Sequence, residues 1–292
     1  MDAHLWIIFT WIVKVFLYLG LSMSVGGLFC YHYFCHEKHS QIAVFQYIRW
    51  GAVLGLISSV LSFLLLIASF AQTGFSGLWN ATYFSLLMNT PVGMVHTLRI
   101  LSFLALVVVI VLPWQHRSAW SFVKKLLIAT LCIPIIISFS QLGHVTNLAV
   151  YAQVLVSFHV ATMSLWMGSL YPLWWLNRHT HRFTFKTHVE QFGQIALGVV
   201  GILIVCGVSV LFLLLPSIMT LFTTPYGNTL LVKLLLVFSI LVLATCNKLY
   251  FTPRLDQPNM YKVFRSVLTF EMLLGFAILV TTSFMTTVVG ID

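Results

Sequence analysis

From Phe192 to Leu215 the chain reads FGQIALGVVGILIVCGVSVLFLLL, without a single Asp, Glu, Lys or Arg. A helix needs about 20 apolar residues to cross the hydrocarbon core of a bilayer, and this run supplies them. Seven further apolar runs lie at about 5–31, 48–71, 93–113, 122–140, 151–176, 229–251 and 266–289. Composition agrees: of 292 residues 60% are hydrophobic, 15% aromatic and only 7% charged, where soluble domains carry about 25% charged residues. Fifteen Lys and Arg with six Asp and Glu cannot cover the surface of a soluble protein of this size. The runs leave no room for an extramembrane catalytic domain or a long disordered tail. A spanning segment must satisfy its own backbone hydrogen bonds, which favours helices, and barrel strands are about half as long. The expected fold is an all-α integral membrane protein, a bundle of eight transmembrane helices forming one domain over 1–292.

The basic residues set the orientation. Lys38 and Arg49 follow the first run, Arg117, Lys124 and Lys125 the third, and Arg178, Arg182 and Lys186 the fifth; Lys248, Arg254, Lys262 and Arg265 surround the seventh junction. The alternate segments, 72–92, 141–150 and 216–228, hold no Lys or Arg. Such alternation places the basic segments in the cytoplasm and both termini on the outward side. It also accounts for most of the formal charge of +9 without a nucleic-acid partner. The first run lacks a basic leader and has Lys14 inside it, so it is expected to stay as a helix rather than be cleaved. Pro134 and Pro172 fall inside runs and predict kinks.

Ionisable groups inside a bilayer are costly and therefore point to function. Lys14, Arg99, Lys233 and Glu271 are the four in question. The plain structural expectation is an ion pair of Lys14 or Lys233 with Glu271; the functional one is movement of ions or protons. Among eleven histidines, His4, His96 and His144 fall at outward helix ends or loops. His159 lies about 12 Å down the fifth helix from Tyr151. His32, His36 and His39 cluster at the cytoplasmic end of the first helix, and His116, His179, His181 and His188 in basic loops read as solvated. His159, Met163 and Met167 follow i, i+4, i+8 spacing along one helix face. Imidazole with thioether suits Cu(I) better than Zn(II) or Mg(II). Cys30 and Cys35 stand among His32, His36 and His39, a set that fits no standard zinc spacing but offers Cu(I) ligands at an exit. None of the five cysteines lies in an outward loop, so structural disulfides are not expected.

Absent motifs narrow the chemistry. The chain has no nucleotide-binding phosphate loop, no Cys-x-x-Cys, no Gly-x-Ser-x-Gly and no His-Glu-x-x-His. No catalytic residue is therefore assigned.

Longer patterns make the chain recognisable. Gly143-His144, then His159-Val-Ala-Thr-Met-Ser-Leu-Trp166-Met-Gly168-Ser-Leu-Tyr-Pro172, resembles the signature of the CopD copper-resistance membrane proteins. So do Tyr226-Gly227 followed by Lys233, Asn247-Lys-Leu-Tyr-Phe-Thr252-Pro253, and Glu271-Met-Leu-Leu-Gly275. The likeness covers about 141–289; the first half resembles the family mainly in hydropathy. It implies a multi-pass protein of the bacterial inner membrane that takes copper inward beside a periplasmic copper-binding partner. Carried over by position, it marks His144, His159, Trp166, Lys233 and Glu271. Where many relatives have a further polar residue before the helical histidine, this chain reads Val154-Leu-Val-Ser157-Phe.

Three functions follow as expectations. In the first, copper binds outside at His4, His96 or His144, passes His159, Met163 and Met167, and leaves near Cys30 and Cys35. In the second, two of His96, His144 and His159 hold a haem b as axial ligands, making a transmembrane redox protein, the only form in which an enzyme is expected. In the third, the apolar segment Trp79–Met94 docks a periplasmic copper-binding protein.

Overall fold

A computed structural model of the chain describes residues 3–112, 118–143, 146, 149–214, 217, 219–257 and 259–289, with the side chains of 3, 4 and 118–121 outside that description. Every apolar run becomes a helix. These are α1 (Ala3–Tyr33), α2 (Lys38–Ala71), α4 (Pro91–Val111), α5 (Ser118–Ser138), α6 (Val150–His179), α7 (Arg182–Leu214), α9 (Pro225–Cys246) and α10 (Met260–Phe284). Two short helices, α3 (Ala81–Met88) and α8 (Thr220–Thr223), sit in connections free of Lys and Arg, and no strand occurs among the described residues. Among the described residues seven helices are both long and apolar enough to cross a membrane. The segment expected to be the eighth span is the helix α5, which is not among those seven.

Helix starts are set by local chemistry. Thr90 and Thr224 each cap a following helix by accepting from the backbone N–H of Gly93 and Gly227, with Pro91 and Pro225 at the first helical position, where a missing N–H costs nothing. At the basic end the helices outrun their apolar stretches: α2 begins at Lys38 and α7 at Arg182. At 1.5 Å per residue α2 is about 50 Å long, against a hydrocarbon core of about 30 Å. The excess projects on the side of the basic loops.

Packing centres on α1, which lies against α2 and α6 and touches α5 and α10; α4 bridges α2 and α5, α7 attaches to α6, and α9 to α10. Small residues permit these close crossings, as expected where helices pack in lipid without a hydrophobic drive. A Cβ on Gly20 would stand 2.6 Å from the Gly55 nitrogen, and one on Gly168 only 1.7 Å from the Ser22 carbonyl oxygen. The buried cluster between α1, α6, α7 and α10 includes Cys30, Phe34, Trp166, Leu170, Phe185 and Phe264. A second, between α1, α2, α4 and α5, includes Leu17, Leu21, Phe103 and Ile135.

Both interior prolines lie within continuous helices, Pro134 in α5 and Pro172 in α6. A proline leaves the carbonyl four residues earlier without its helical donor. For Pro172 that carbonyl is Gly168, and the Tyr47 hydroxyl of α2 donates to it at 3.2 Å. The side chain thus restores the hydrogen bond that the ring removes.

Candidate functional site

The half of the bundle away from the basic loops holds two polar sites. In the first, Arg99 of α4 is 3% exposed and lies among α1, α4 and α5. Its Nε donates to Ser138 Oγ at 2.8 Å and its Nη2 to the Ser138 carbonyl at 3.0 Å. The guanidinium carbon stands 4.7 Å from the centre of the Phe139 ring. Tyr18 of α1 stacks on the same ring at 4.9 Å. Arg99 therefore closes the C-terminal end of α5, where carbonyls lack helical donors and the helix dipole favours a cation. Lys14, half-buried on α1, donates to Thr286 Oγ1 at 2.7 Å and is near enough to Arg99 for their charges to interact. Thr286 belongs to a π turn, Met285–Val289, that ends α10. Two cations thus share this layer, and the one ion pair among the described residues, Lys186–Asp256 at 2.5 Å, is on the basic side.

His96 is one turn above Arg99 on α4. It is 7% exposed, lies 5.4 Å from the ring of Phe63 on α2, and its Nδ1 has no hydrogen-bond partner among the described residues. Buried polar atoms are nearly always paired, so this nitrogen is available to a ligand.

The second site lies between α6, α7 and α9. His159 Nδ1 is 3.2 Å from the Leu203 carbonyl oxygen. A carbonyl only accepts, so Nδ1 carries the proton and the neutral ring keeps its lone pair on Nε2, the arrangement of a metal-binding histidine whose other nitrogen is fixed by a backbone partner. Gly207 gives the ring its space, since a Cβ there would stand 3.0 Å from His159 Cε1. Lys233 of α9 is close enough to act on the ring electrostatically.

The remaining candidates separate. Met163 and Met167 follow His159 along α6, but Met163 Sδ accepts from Ser22 Oγ of α1 at 3.9 Å, while Met167 packs on Gly275 of α10. His159 itself faces α7. Cys30 is fully buried with its thiol 3.8 Å from the Ser169 carbonyl; Cys35 is 5% exposed, and burial pushes its thiol up to about 12. Trp166 lies in the core beside α7. His4's side chain and the whole of His144 are outside the described residues. His96 lies against the ring of Phe63 on α2, and His159 Nδ1 lies against the Leu203 carbonyl of α7. Among the described residues no group of three His, Cys, Asp or Glu converges on a metal position.

Glu271 corrects an expectation. It is 3% exposed and accepts from Asn247 Nδ2 at 3.2 Å, and no ion pair with Lys14 or Lys233 forms among the described residues. Depth explains this. Asn247 is 14 residues past Lys233, about 21 Å along the helix axis, so Lys233 and Glu271 occupy opposite halves of the membrane. A π turn at Asn247–Phe251 widens α9 where the amide meets the carboxyl, a distortion frequent at functional positions.

Sequence reasoning missed Ser138, Tyr47, Asn247 as the partner of Glu271, and His188. Only Tyr47 had a legible signal, the freed carbonyl before Pro172. His188 is 8% exposed at the basic end, where a solvated loop residue was expected.

Comparison with known proteins places these features. Residues 2–149 match the family model described as copper resistance protein D-like, N-terminal domain, and residues 186–285 match copper resistance protein D. The likeness thus extends over the first half, which motifs had not revealed, while His159–Pro172 falls between the matched segments. The chain is 26% identical over 269 residues to the inner membrane protein YebZ of Escherichia coli (strain K12), covering 85% of this chain and 87% of that protein. No solved structure matches. With family models matching on both sides of α6, and apolar helices throughout, the chain is a multi-pass inner-membrane protein that belongs to the copper resistance protein D family.

Proposed function

We propose that this protein binds copper on the periplasmic side of the membrane and carries it inward through a single eight-helix domain. In this reading α5 is the eighth span, and the even count returns both termini to the outward side that the basic residues avoid. Copper enters at the imidazoles of His4, His96 and His144, with His159 as the principal ligand. Met163 and Met167 lie beyond it along α6, and the end of α1 bearing Cys30 and Cys35 is the exit side. Copper is cargo here and no catalytic step is assigned. The observation that carries the reading is the His159 ring: its Nδ1 is committed to the Leu203 carbonyl, which leaves Nε2 as a ligand atom inside the bilayer.

A periplasmic copper-binding protein is the proposed donor. Its docking segment is the connection after α2, where Phe75 and Trp79 are 64% and 77% exposed and Phe84, Leu86 and Met94 also face outward. Such aromatic surface suits a membrane interface or a partner.

The test is Cu(I) titration of the purified protein against a chromophoric chelator. Removing a ligand should weaken binding at least ~10-fold, so His159→Ala is expected to lose that much affinity. Equal binding by wild type and His159→Ala would overturn the assignment.

A further inference from the structure

At the basic end of the bundle, the turn between α1 and α2 meets the first turns of α7. There His36 and His188 lie with ring centres 6.0 Å apart and planes 27° from parallel. From the geometry we infer that His36 and His188 form a two-imidazole site for Cu(I) on the cytoplasmic side. The inference rests on the copper reading above and supplies its exit ligands.

His188 is 8% exposed, and its Nδ1 is buried with no hydrogen-bond partner among the described residues. The sequence placed it in a solvated loop; instead α7 starts early and carries it against the core. An unpartnered polar nitrogen in that position is rare, because burial strips its water without replacing it. A metal ion supplies what the nitrogen lacks. His36 is exposed and faces the same ring from solvent, so the pair has one buried and one accessible donor, as a release site requires.

The spacing suits one shared ion. The two rings are stacked, and His36, which is exposed, has room to turn edge-on. Metal–imidazole bonds are about 2 Å and each nitrogen stands about 1 Å from its ring centre, so two imidazoles turned edge-on to one ion have centres roughly 6 Å apart. Among the described residues no third His, Cys, Asp or Glu completes a metal group with the pair, and two donors also select the metal. Zinc sites of protein ligands are almost always four-coordinate, whereas Cu(I) accepts two, and imidazole is among its ligands. The ring of Phe34, 5.4 Å from His188, walls the site on its apolar side. The carboxylate of Glu37 is near enough to act on His188 electrostatically, which favours a bound cation.

The neighbouring thiols are less suited. Cys30 is fully buried and directed at the Ser169 carbonyl, away from the histidine pair's solvent side. A second histidine pair, His39 and His179, has ring centres 5.8 Å apart but planes at 60°. His179 is committed elsewhere: its Nδ1 lies 2.9 Å from the Trp175 carbonyl and its ring stacks on Trp175 at 4.0 Å.

Anaerobic Cu(I) titration of the full-length protein in detergent, with bicinchoninate as competitor, tests the site in wild type, His36→Ala, His188→Ala, His39→Ala and His159→Ala. His36→Ala and His188→Ala should each lose the same one equivalent of Cu(I), or weaken it at least ~10-fold, while His39→Ala and His159→Ala retain it. Because His36 is exposed, its loss of copper is not a packing effect. Unchanged stoichiometry and affinity in both His36→Ala and His188→Ala would overturn this site alone. Failure of wild type to bind any Cu(I) would overturn it together with the copper reading.

Discussion

The helices α1, α2 and α6 differ sharply from α7 and α9. Of the most apolar stretches of α1, α2 and α6, 44%, 39% and 39% of residues are buried; of those of α7 and α9, 6% and 11%. The first group crosses backbone to backbone through Gly20, Gly55, Gly26 and Gly168. The second presents Leu197, Val205, Phe212, Leu235 and Phe238 outward, a surface that lipid can cover. His159 lies at the seam between them, held by the Leu203 carbonyl and faced by Lys233. A helix of the first group thus carries the imidazole, and the two lipid-facing helices complete its surroundings.

The comparison can be broken most directly by adding volume. Gly168→Leu puts side-chain atoms into the Ser22 carbonyl and is expected to cost at least ~3 kcal/mol, seen as loss of folded protein in a detergent thermal-stability assay. Gly201→Leu on α7, where nothing lies within 4 Å, should change stability by less than ~0.5 kcal/mol. Equal effects at the two glycines would erase the distinction between the two groups of helices. Next comes Arg99→Met, which leaves the Ser138 carbonyl and hydroxyl without their donor; about 1–3 kcal/mol of destabilisation is expected, read from the unfolding midpoint in mixed micelles. Tyr47→Phe is the smallest of the set. It removes only the hydroxyl that satisfies Gly168, and hydrogen bonds between membrane helices average about 0.6 kcal/mol. A Tyr47→Phe, Pro172→Ala double variant should recover that loss, because alanine gives the Gly168 carbonyl its helical donor back.

The helices were legible because hydropathy is a one-dimensional signal: each of the eight runs returned as a helix within a few residues at the end away from the basic loops. The basic ends were not. The first ten residues of both α2 and α7 mix polar and apolar side chains, so hydropathy does not record that they are helical and leaves His188 in a solvated loop. The candidate ligands were legible by type and not by direction. Each i to i+4 step along a helix turns the side chain by about 40°, so His159, Met163 and Met167, which share a stripe in sequence, meet α7, α1 and α10 in turn. Lys233 and Glu271 were separable only by depth, which loop lengths fix and composition does not. Trp166, Gly168 and Pro172, which carried the family resemblance, have packing reasons in this fold: a buried indole, a backbone crossing and a carbonyl returned to Tyr47.

The account stands or falls on whether the imidazole at the seam holds metal. Copper K-edge X-ray absorption of the Cu(I)-loaded protein measures this directly, with His36 and His188 both replaced by alanine to remove the second proposed site. The spectrum should contain the multiple-scattering pattern of imidazole at about 2 Å and lose an imidazole when His159→Ala is added. A spectrum unchanged by His159→Ala would contradict the assignment and leave the ring as a packing residue bound to Leu203.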